Sequence, residues 1–387
     1  MLAKIWYALM GTKPTFDRGL LLCVLALLGI SVVLINSASV MEAFTRFGDS
    51  AYYLKRQLVY VVLGLFVFIF CATIPTAQVQ RFAMTLLLFS IALLILVLIV
   101  GREINEAKRW IELGFFNIQP AEILKLSWII YLASYSSRKT EEIRKLTKGF
   151  LKPLFLIGFI AALLLAQPDF GSLVVVTSIT FGILFVSGAG LTKFFLTGFI
   201  VALIGAALIV FQPYRWRRVM SFLDPWADEF GSGYQLTQSL MAFGRGGVHG
   251  EGIGNSIQKL GYLPEAHTDF VTAILGEELG FVGMLIVIAL EFFIVFKAVR
   301  LSFALLRHAP SFAGYAAFGI GCWFALQTVI NIGAATGALP TKGLTLPLVS
   351  YGGSSLMITM AALALLMRID FEYRHGPLGP KGKKRLV

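Results

Sequence analysis

Apolar residues along this chain come in blocks of about twenty, the length an α-helix needs to cross a hydrocarbon core of about 30 Å. The blocks run Gly19–Val40, Leu58–Ile74, Phe82–Val100, Ala121–Tyr135, Phe150–Ala166, Ser172–Ser187, Phe194–Phe211, Phe270–Lys297, Phe312–Thr336 and Leu346–Met367. They predict an all-α polytopic membrane protein of about ten transmembrane helices. Between the seventh and eighth blocks lies a polar stretch, residues 212–268, too long for a plain connector. The chain thus reads as one membrane domain over residues 1–387, with a short tail at 1–18, a large loop at 212–268 and a basic tail at 368–387.

An even number of spans puts both termini on one side. That side holds 20 of the 33 Lys and Arg, so the positive-inside rule places the termini in the cytoplasm and the large loop outside it. The inner runs at Ser136–Gly149 and Lys381–Arg385 read as solvated faces or as contacts to anionic lipid. Composition agrees: 57% of residues are hydrophobic and 14% charged, where a soluble domain carries about 25% charged residues. The net charge of +12 belongs to topology-setting loops, so no nucleic acid partner is expected. Cys23, Cys71 and Cys322 each sit inside an apolar block, which points to neither a zinc site nor a disulfide framework. The first block is too long for a cleaved signal and reads as a retained span.

The outer side carries cations that topology does not favour: Lys55 and Arg56, Lys108 and Arg109, Lys125, and the group Arg215, Arg217 and Arg218. One reading is a set of ligands for a diphosphate. The other is snorkelling and internal ion pairs, for instance Glu122 with Lys125 one helical turn on.

Within the large loop, Leu236, Leu240 and Phe243 share one face of a helix beginning near Tyr234. Six glycines follow between Gly244 and Gly254; they read as backbone approaching a ligand or as a flexible connector. No Walker or dinucleotide fingerprint occurs. Asp269 stands where the loop runs into the eighth block. It reads either as an acidic residue favoured by the helix start, with Thr268 as N-cap, or as a base able to take a proton from a sugar hydroxyl. His267 lies beside it, and Glu277 and Glu278 follow deeper, where ionisable groups need a partner or a cavity. Further polar breaks occur at Gln167-Pro168-Asp169 and from Pro340 to Ser355, which includes Ser350. Such breaks persist in membranes only where protein or water covers the exposed backbone. Together they predict a polar cavity opening outward.

Seven motifs carry a resemblance: YLKRQ at Tyr53–Gln57, AKRWIELG at Ala107–Gly114, IQPAEILKL at Ile118–Leu126, QPDFGS at Gln167–Ser172, LPEAHTDF at Leu263–Phe270, EELG at Glu277–Gly280 and LPLVSYGGSS at Leu346–Ser355. They resemble the SEDS family (shape, elongation, division and sporulation proteins), nearly end to end and closer to its cell-division members than to its elongation members. The resemblance implies a ten-helix fold in the bacterial inner membrane, at the division septum, and an inverting glycosyltransferase that polymerises lipid II. It implies Asp269 as catalytic base and Arg56, Arg109, Lys125 and Arg215 as outer-cavity cations; Lys108 and His267 are expected with them as substrate-binding residues. Glu122, Gln167, Asp169, Glu278 and Ser350 are expected to shape the cavity. The implied partners are a class B penicillin-binding transpeptidase and other divisome membrane proteins. No cofactor is singled out by the residues; a divalent cation, magnesium or manganese, at the diphosphate stays open. A lipid II flippase and a non-catalytic scaffold for the transpeptidase are the competing readings.

Overall fold

The computed structural model describes residues 16–104, 107–112, 114, 116–340, 343–376 and 378. Its helices are α1 (Arg18–Phe47), α2 (Tyr52–Thr73), the short α3 (Thr76–Arg81), α4 (Ala83–Val100), α5 (Pro120–Arg138), the short α6 (Thr140–Lys145), α7 (Thr147–Ala166), α8 (Phe170–Val186), α9 (Leu191–Val210), α10 (Pro213–Leu223), α11 (Tyr234–Gly246), α12 (Val271–Leu306), α13 (Phe312–Ala335) and α14 (Gly353–His375). Each expected apolar block falls on one of them. Eight of the described helices are long and apolar enough to cross a membrane; α5 is not among these, and α8 is shorter. Large apolar side chains such as Phe155, Ile99 and Phe199 stand on the outer faces, as lipid-facing residues do in an integral membrane protein.

The bundle is organised around α5, whose Leu124, Trp128, Ile129, Leu132 and Ala133 are fully buried. It packs against α4, α8 and α13, while α14 pairs with α2 and α12 with α13. At the other extreme, α9 buries no residue at all and borders the bundle loosely.

All-α needs one exception. Between α4 and α5 the chain forms β1 (Arg102–Ile104), β2 (Ala107–Glu112) and β3 (Asn117–Ile118), paired antiparallel in that order. Strand alternation puts Ala107 and Arg109 on the face toward the bundle and Lys108 and Trp110 on the other.

Several helices extend beyond the expected blocks, α1 to Phe47, α2 from Tyr52 and α12 to Leu306, and the last helix differs at both ends. The tenth helix starts at Gly353 rather than Leu346, because Pro347 lacks an N–H, Leu348 adopts φ 60° and two glycines follow. The exposed backbone is met within the protein: the Ser350 hydroxyl accepts from Leu346 N at 2.8 Å, and Tyr351 N donates to His267 O at 3.0 Å. At its far end α14 runs on through Arg368–His375, held by Arg368 with Glu372 and Arg374 with Asp17; the Lys381–Arg385 run lies outside the described residues.

The glycine run has a structural use that neither sequence reading foresaw. Helix α12 breaks at Gly280, with φ 65° and ψ −164°, freeing backbone groups on both sides of the break. The loop fills them: Glu251 N and Gly252 N donate to Glu277 O and Glu278 O at 3.0 and 2.9 Å, while Phe281 N and Val282 N donate to Gly247 O and Val248 O at 2.9 and 3.1 Å. A Cβ on Gly280 would sit 2.4 Å from Gly250 N, in a backbone region essentially reserved for glycine. Gly280→Ala is therefore expected to cost about 1–3 kcal/mol, read as a lower thermal midpoint in detergent. An unchanged midpoint would show that loop and helix are not locked this way.

Candidate active site

Asp269 lies two residues before α12, not inside its first turn. The residue flanking that helix is Phe270, with no side-chain cap. Thr268 is no cap; its hydroxyl donates to the Glu265 carboxylate at 2.7 Å. The electrostatic benefit of a helix start therefore does not explain the aspartate. Its main-chain carbonyl is fixed by Asn331 Nδ2 at 2.9 Å, yet among the described residues no group hydrogen-bonds to its carboxylate. The residue keeps partial solvent contact while protein crowds the carboxyl. Loss of hydration, then the neighbouring Glu265 charge, push its pKa up to about 7, opposed by Arg218, Arg109 and His267.

The residues expected around it separate into three groups. Arg109 reaches inward from β2, donating to Gln167 O at 3.2 Å and Pro168 O at 2.6 Å, and its charge is felt at Asp269. Arg218 on α10 acts there too; the Arg215 side chain lies outside the described residues. Arg56 on α2 stands against Tyr52, with Nη1 donating to its hydroxyl at 3.0 Å. Lys108 is on the outer face of the hairpin, partly exposed.

Others are built into the frame. His267 is only 4% exposed. Its Nδ1 faces Glu42 Oε2 at 3.2 Å, and its ring packs against Tyr53 and Tyr351, so it holds the loop rather than presenting itself to solvent. Lys125 is fully buried, paired with Glu122 at 2.7 Å and donating to Gln327 Oε1 at 3.2 Å. It faces no open groove, and the ion-pair reading describes its placement. Asp169 caps α8, accepting from Ser172 N at 3.1 Å; Gln167 donates to Leu94 O at 3.0 Å. Glu277 and Glu278 are fully buried. Glu277 accepts from Arg245 at 2.8 Å and Ile257 N at 2.9 Å, and Glu278 accepts from Ser37 at 2.6 Å and Lys259 at 2.9 Å. These contacts offset two carboxylates that would otherwise be costly in the interior, although Glu278 Oε2 has no hydrogen-bond partner among the described residues.

Sequence reading missed Gln327 and Asn331. With Trp323 they recur every four residues on one face of α13, a spacing that aligns side chains along a helix and was available in the ninth block. They grip the non-helical strap at 343–345. Gln327 Nε2 donates to Thr345 O at 2.8 Å, and Asn331 Nδ2 to Leu344 O at 2.6 Å. A Cβ on Gly343 would lie 2.8 Å from Asp269 Oδ2, so the strap runs directly against the carboxylate. Beyond it a cavity of about 180 Å³ is lined by Phe170, Gly171, Ile209, Ile330 and Leu344, with Arg218 at its wall. An acid with raised pKa, two guanidiniums and an apolar recess together suit proton removal beside an anionic, lipid-linked substrate.

The family model for cell cycle proteins of the FtsW, RodA and SpoVE kind matches residues 18–375. The chain belongs to this family. A family relative from Tolumonas auensis, named a probable peptidoglycan glycosyltransferase FtsW, is 52% identical over 96% of this chain and 97% of its own. Among solved structures, the chain is similar to one in a peptidoglycan synthase complex described as coordinating polymerization and crosslinking. The TM-score is 0.74 with 31% identity, over 93% of this chain and 98% of that one. The rod shape determining protein RodA of Thermus thermophilus matches with a TM-score of 0.67 and 29% identity, over 93% and 98% of the two chains. The polytopic helical fold is thus the family's.

Proposed function

We propose that this chain is a peptidoglycan glycosyltransferase that polymerises lipid II during septal wall synthesis, with Asp269 as general base. The observation that carries the base assignment is the Asp269 carboxylate itself. It lacks a hydrogen-bond partner among the described residues, stands beside Arg109 and Arg218, and has its pKa near 7. A base poised near the working pH combines a deprotonated population with real proton affinity.

In the reaction, the 4-hydroxyl of the acceptor's GlcNAc gives its proton to Asp269. The hydroxyl oxygen attacks the donor's anomeric carbon from the face opposite the diphosphate. The bond to the diphosphate breaks, and undecaprenyl diphosphate leaves with the electron pair, inverting the anomeric centre. One base suffices for inversion; a second, nucleophilic carboxylate is not needed. Arg109 and Arg218, whose charges act at Asp269, oppose the charge developing on the leaving group in this reading, with Arg56 and Lys108 as further cations of the outer side. The apolar recess beside Arg218 suits the polyprenyl chain, which must stay in lipid while the sugars react at the surface. Among the described residues no three His, Cys, Asp or Glu converge as metal ligands. A magnesium or manganese ion at the diphosphate would be held largely by the substrate's own phosphate oxygens, with one or two carboxylates, and would offset charge on the leaving group.

The similar synthase complex, which joins polymerization to crosslinking, supports a class B penicillin-binding transpeptidase as partner. The family supports further divisome membrane proteins, with both termini cytoplasmic and Asp269 at the outer surface of the inner membrane.

The test is polymerisation of purified lipid II by the protein with its transpeptidase across a pH series. Because the active form is the deprotonated one, kcat/KM is expected to rise about tenfold per pH unit below about pH 7 and to level off above it. A rate flat from about pH 5 to 8 would refute a base of raised pKa.

A further inference from the structure

We propose that Asn331 is the positioning residue of the base, its side-chain amide clamping the Asp269 main chain to the strap at 343–345. This deepens the glycosyltransferase reading and rests on it. The argument begins with donors and acceptors. A side-chain amide nitrogen carries two N–H groups. In Asn331 each goes to a different main-chain carbonyl, Asp269 O at 2.9 Å and Leu344 O at 2.6 Å. Two carbonyl oxygens can be met only by the nitrogen end of the amide, so its orientation follows from its partners. Thr272 Oγ1, 3.4 Å from Asn331 Oδ1, donates to the other end.

Both gripped carbonyls belong to segments with no helical ladder of their own. Asp269 precedes α12, and Leu344 lies between α13 and α14. At this point Gly343 also comes so close to Asp269 Oδ2 that a Cβ would stand 2.8 Å away. The strap therefore forms one wall of the carboxylate's surroundings, and Asn331 fastens that wall. One turn earlier on the same helix, Gln327 repeats the arrangement. Its nitrogen holds Thr345 at 2.8 Å, and its oxygen is fixed by Lys125 at 3.2 Å and by Trp323. Asn331 is 1% exposed, so it touches no substrate. It acts through Asp269, by holding the carboxylate in reach of the acceptor hydroxyl and keeping water from its strap side.

Three variants in the complex with the transpeptidase test this. Asn331→Asp keeps the shape and loses the paired donors, Asn331→Leu keeps the volume and loses all polarity, and Asn331→Ser retains one donor. For the first two, kcat is expected to fall about 10- to 100-fold, the scale of a small misplacement of a reacting group. KM for lipid II should stay within about twofold, because no substrate contact is removed. Asn331→Ser should fall between these and wild type. In the Leu and Ser variants the acid limb of the pH profile should also move to lower pH, since a loosened strap readmits water to the carboxylate; Asn331→Asp, which brings a second carboxylate close, is read by kcat alone. The charges facing it from the other elements, Glu265 and His267 on its own loop, Arg109 on β2 and Arg218 on α10, remain in place. The proposal is overturned if the Asp and Leu variants keep kcat within about twofold, or if activity falls only in step with lost folded protein while the pH limb stays put. Should those two fail to fold, Asn331→Ser decides by the same readouts. An Asp269→Asn control separates the two levels. If it polymerises normally, the base reading fails; if it is inactive while the Asn331 variants match wild type, only the positioning role fails.

Discussion

Asp269→Asn is expected to lower lipid II polymerisation by about 10²–10⁴-fold, the range that general-base catalysis supplies, while the protein stays folded and bound to its transpeptidase. The amide matches the carboxylate in shape and cannot take the acceptor's proton. Folding should not suffer, because the carboxylate holds no hydrogen bond among the described residues and its charge is opposed by lost hydration. The sign follows from linkage. With a folded pKa near 7, above the ordinary value of 3.8, the native state binds the proton more tightly than the unfolded chain. Ionisation of Asp269 therefore lowers stability as pH rises through that window, and the Asn variant, free of this cost, should melt at the same temperature as wild type or higher at pH 8. Polymerisation of purified lipid II, alongside a melting curve, checks both halves. Near wild-type polymer from the variant would remove the base assignment. Division supported fully by the variant would favour a scaffold, and lipid II movement without polymer from the wild-type complex would favour a flippase.

The second large effect is on stability. Lys125→Ala is expected to cost about 3–5 kcal/mol, the scale for removing one partner of a buried ion pair. Side-chain exposure is 0% for Lys125 and 5% for Glu122, and Glu122 Oε2 already has no hydrogen-bond partner. Without the ammonium, a carboxylate would be left in the bundle interior with nothing to offset its lost hydration. Adding Glu122→Gln to Lys125→Met should recover most of the loss, because a pair replaced whole leaves no orphaned charge. Melting midpoints of Lys125→Met, Glu122→Gln and their double variant in detergent measure the coupling as a cycle. A Lys125→Ala protein that melts like wild type but polymerises poorly would return Lys125 to the substrate-binding set.

Both variants also show what kind of information sequence carries. The spacing of Glu122 and Lys125 announced a pair on one helix face, but spacing is silent on which face is buried. Both a diphosphate ligand and an internal ion pair therefore stayed open until α5 was seen at the centre of the bundle. His267 and Asp269 are adjacent but one in chain. One is packed between Tyr53 and Tyr351, each more than 80 positions away, and the other's carboxylate has no hydrogen-bond partner among the described residues. The glycines at 244–254 read as ligand-binding or flexible because their true counterparts, Gly276 and Gly280, lie on another element. Asn331 passed unnoticed for a related reason: its acceptors are main-chain carbonyls, which leave no mark in a sequence.

Read alone, the chain determined the membrane class, the position of each long helix, the family and the identity of the acid at the loop's end. These depend on apolar periodicity and side-chain chemistry, which are local. Only the tertiary structure decided which cations stand near Asp269 and which are consumed in the frame, how the broken helix at Gly280 is repaired, and what wall closes on the carboxylate. Those outcomes depend on contacts between segments far apart in the chain, and burial, which sets both the worth of a charge and the acidity of an acid, exists only once the segments have packed.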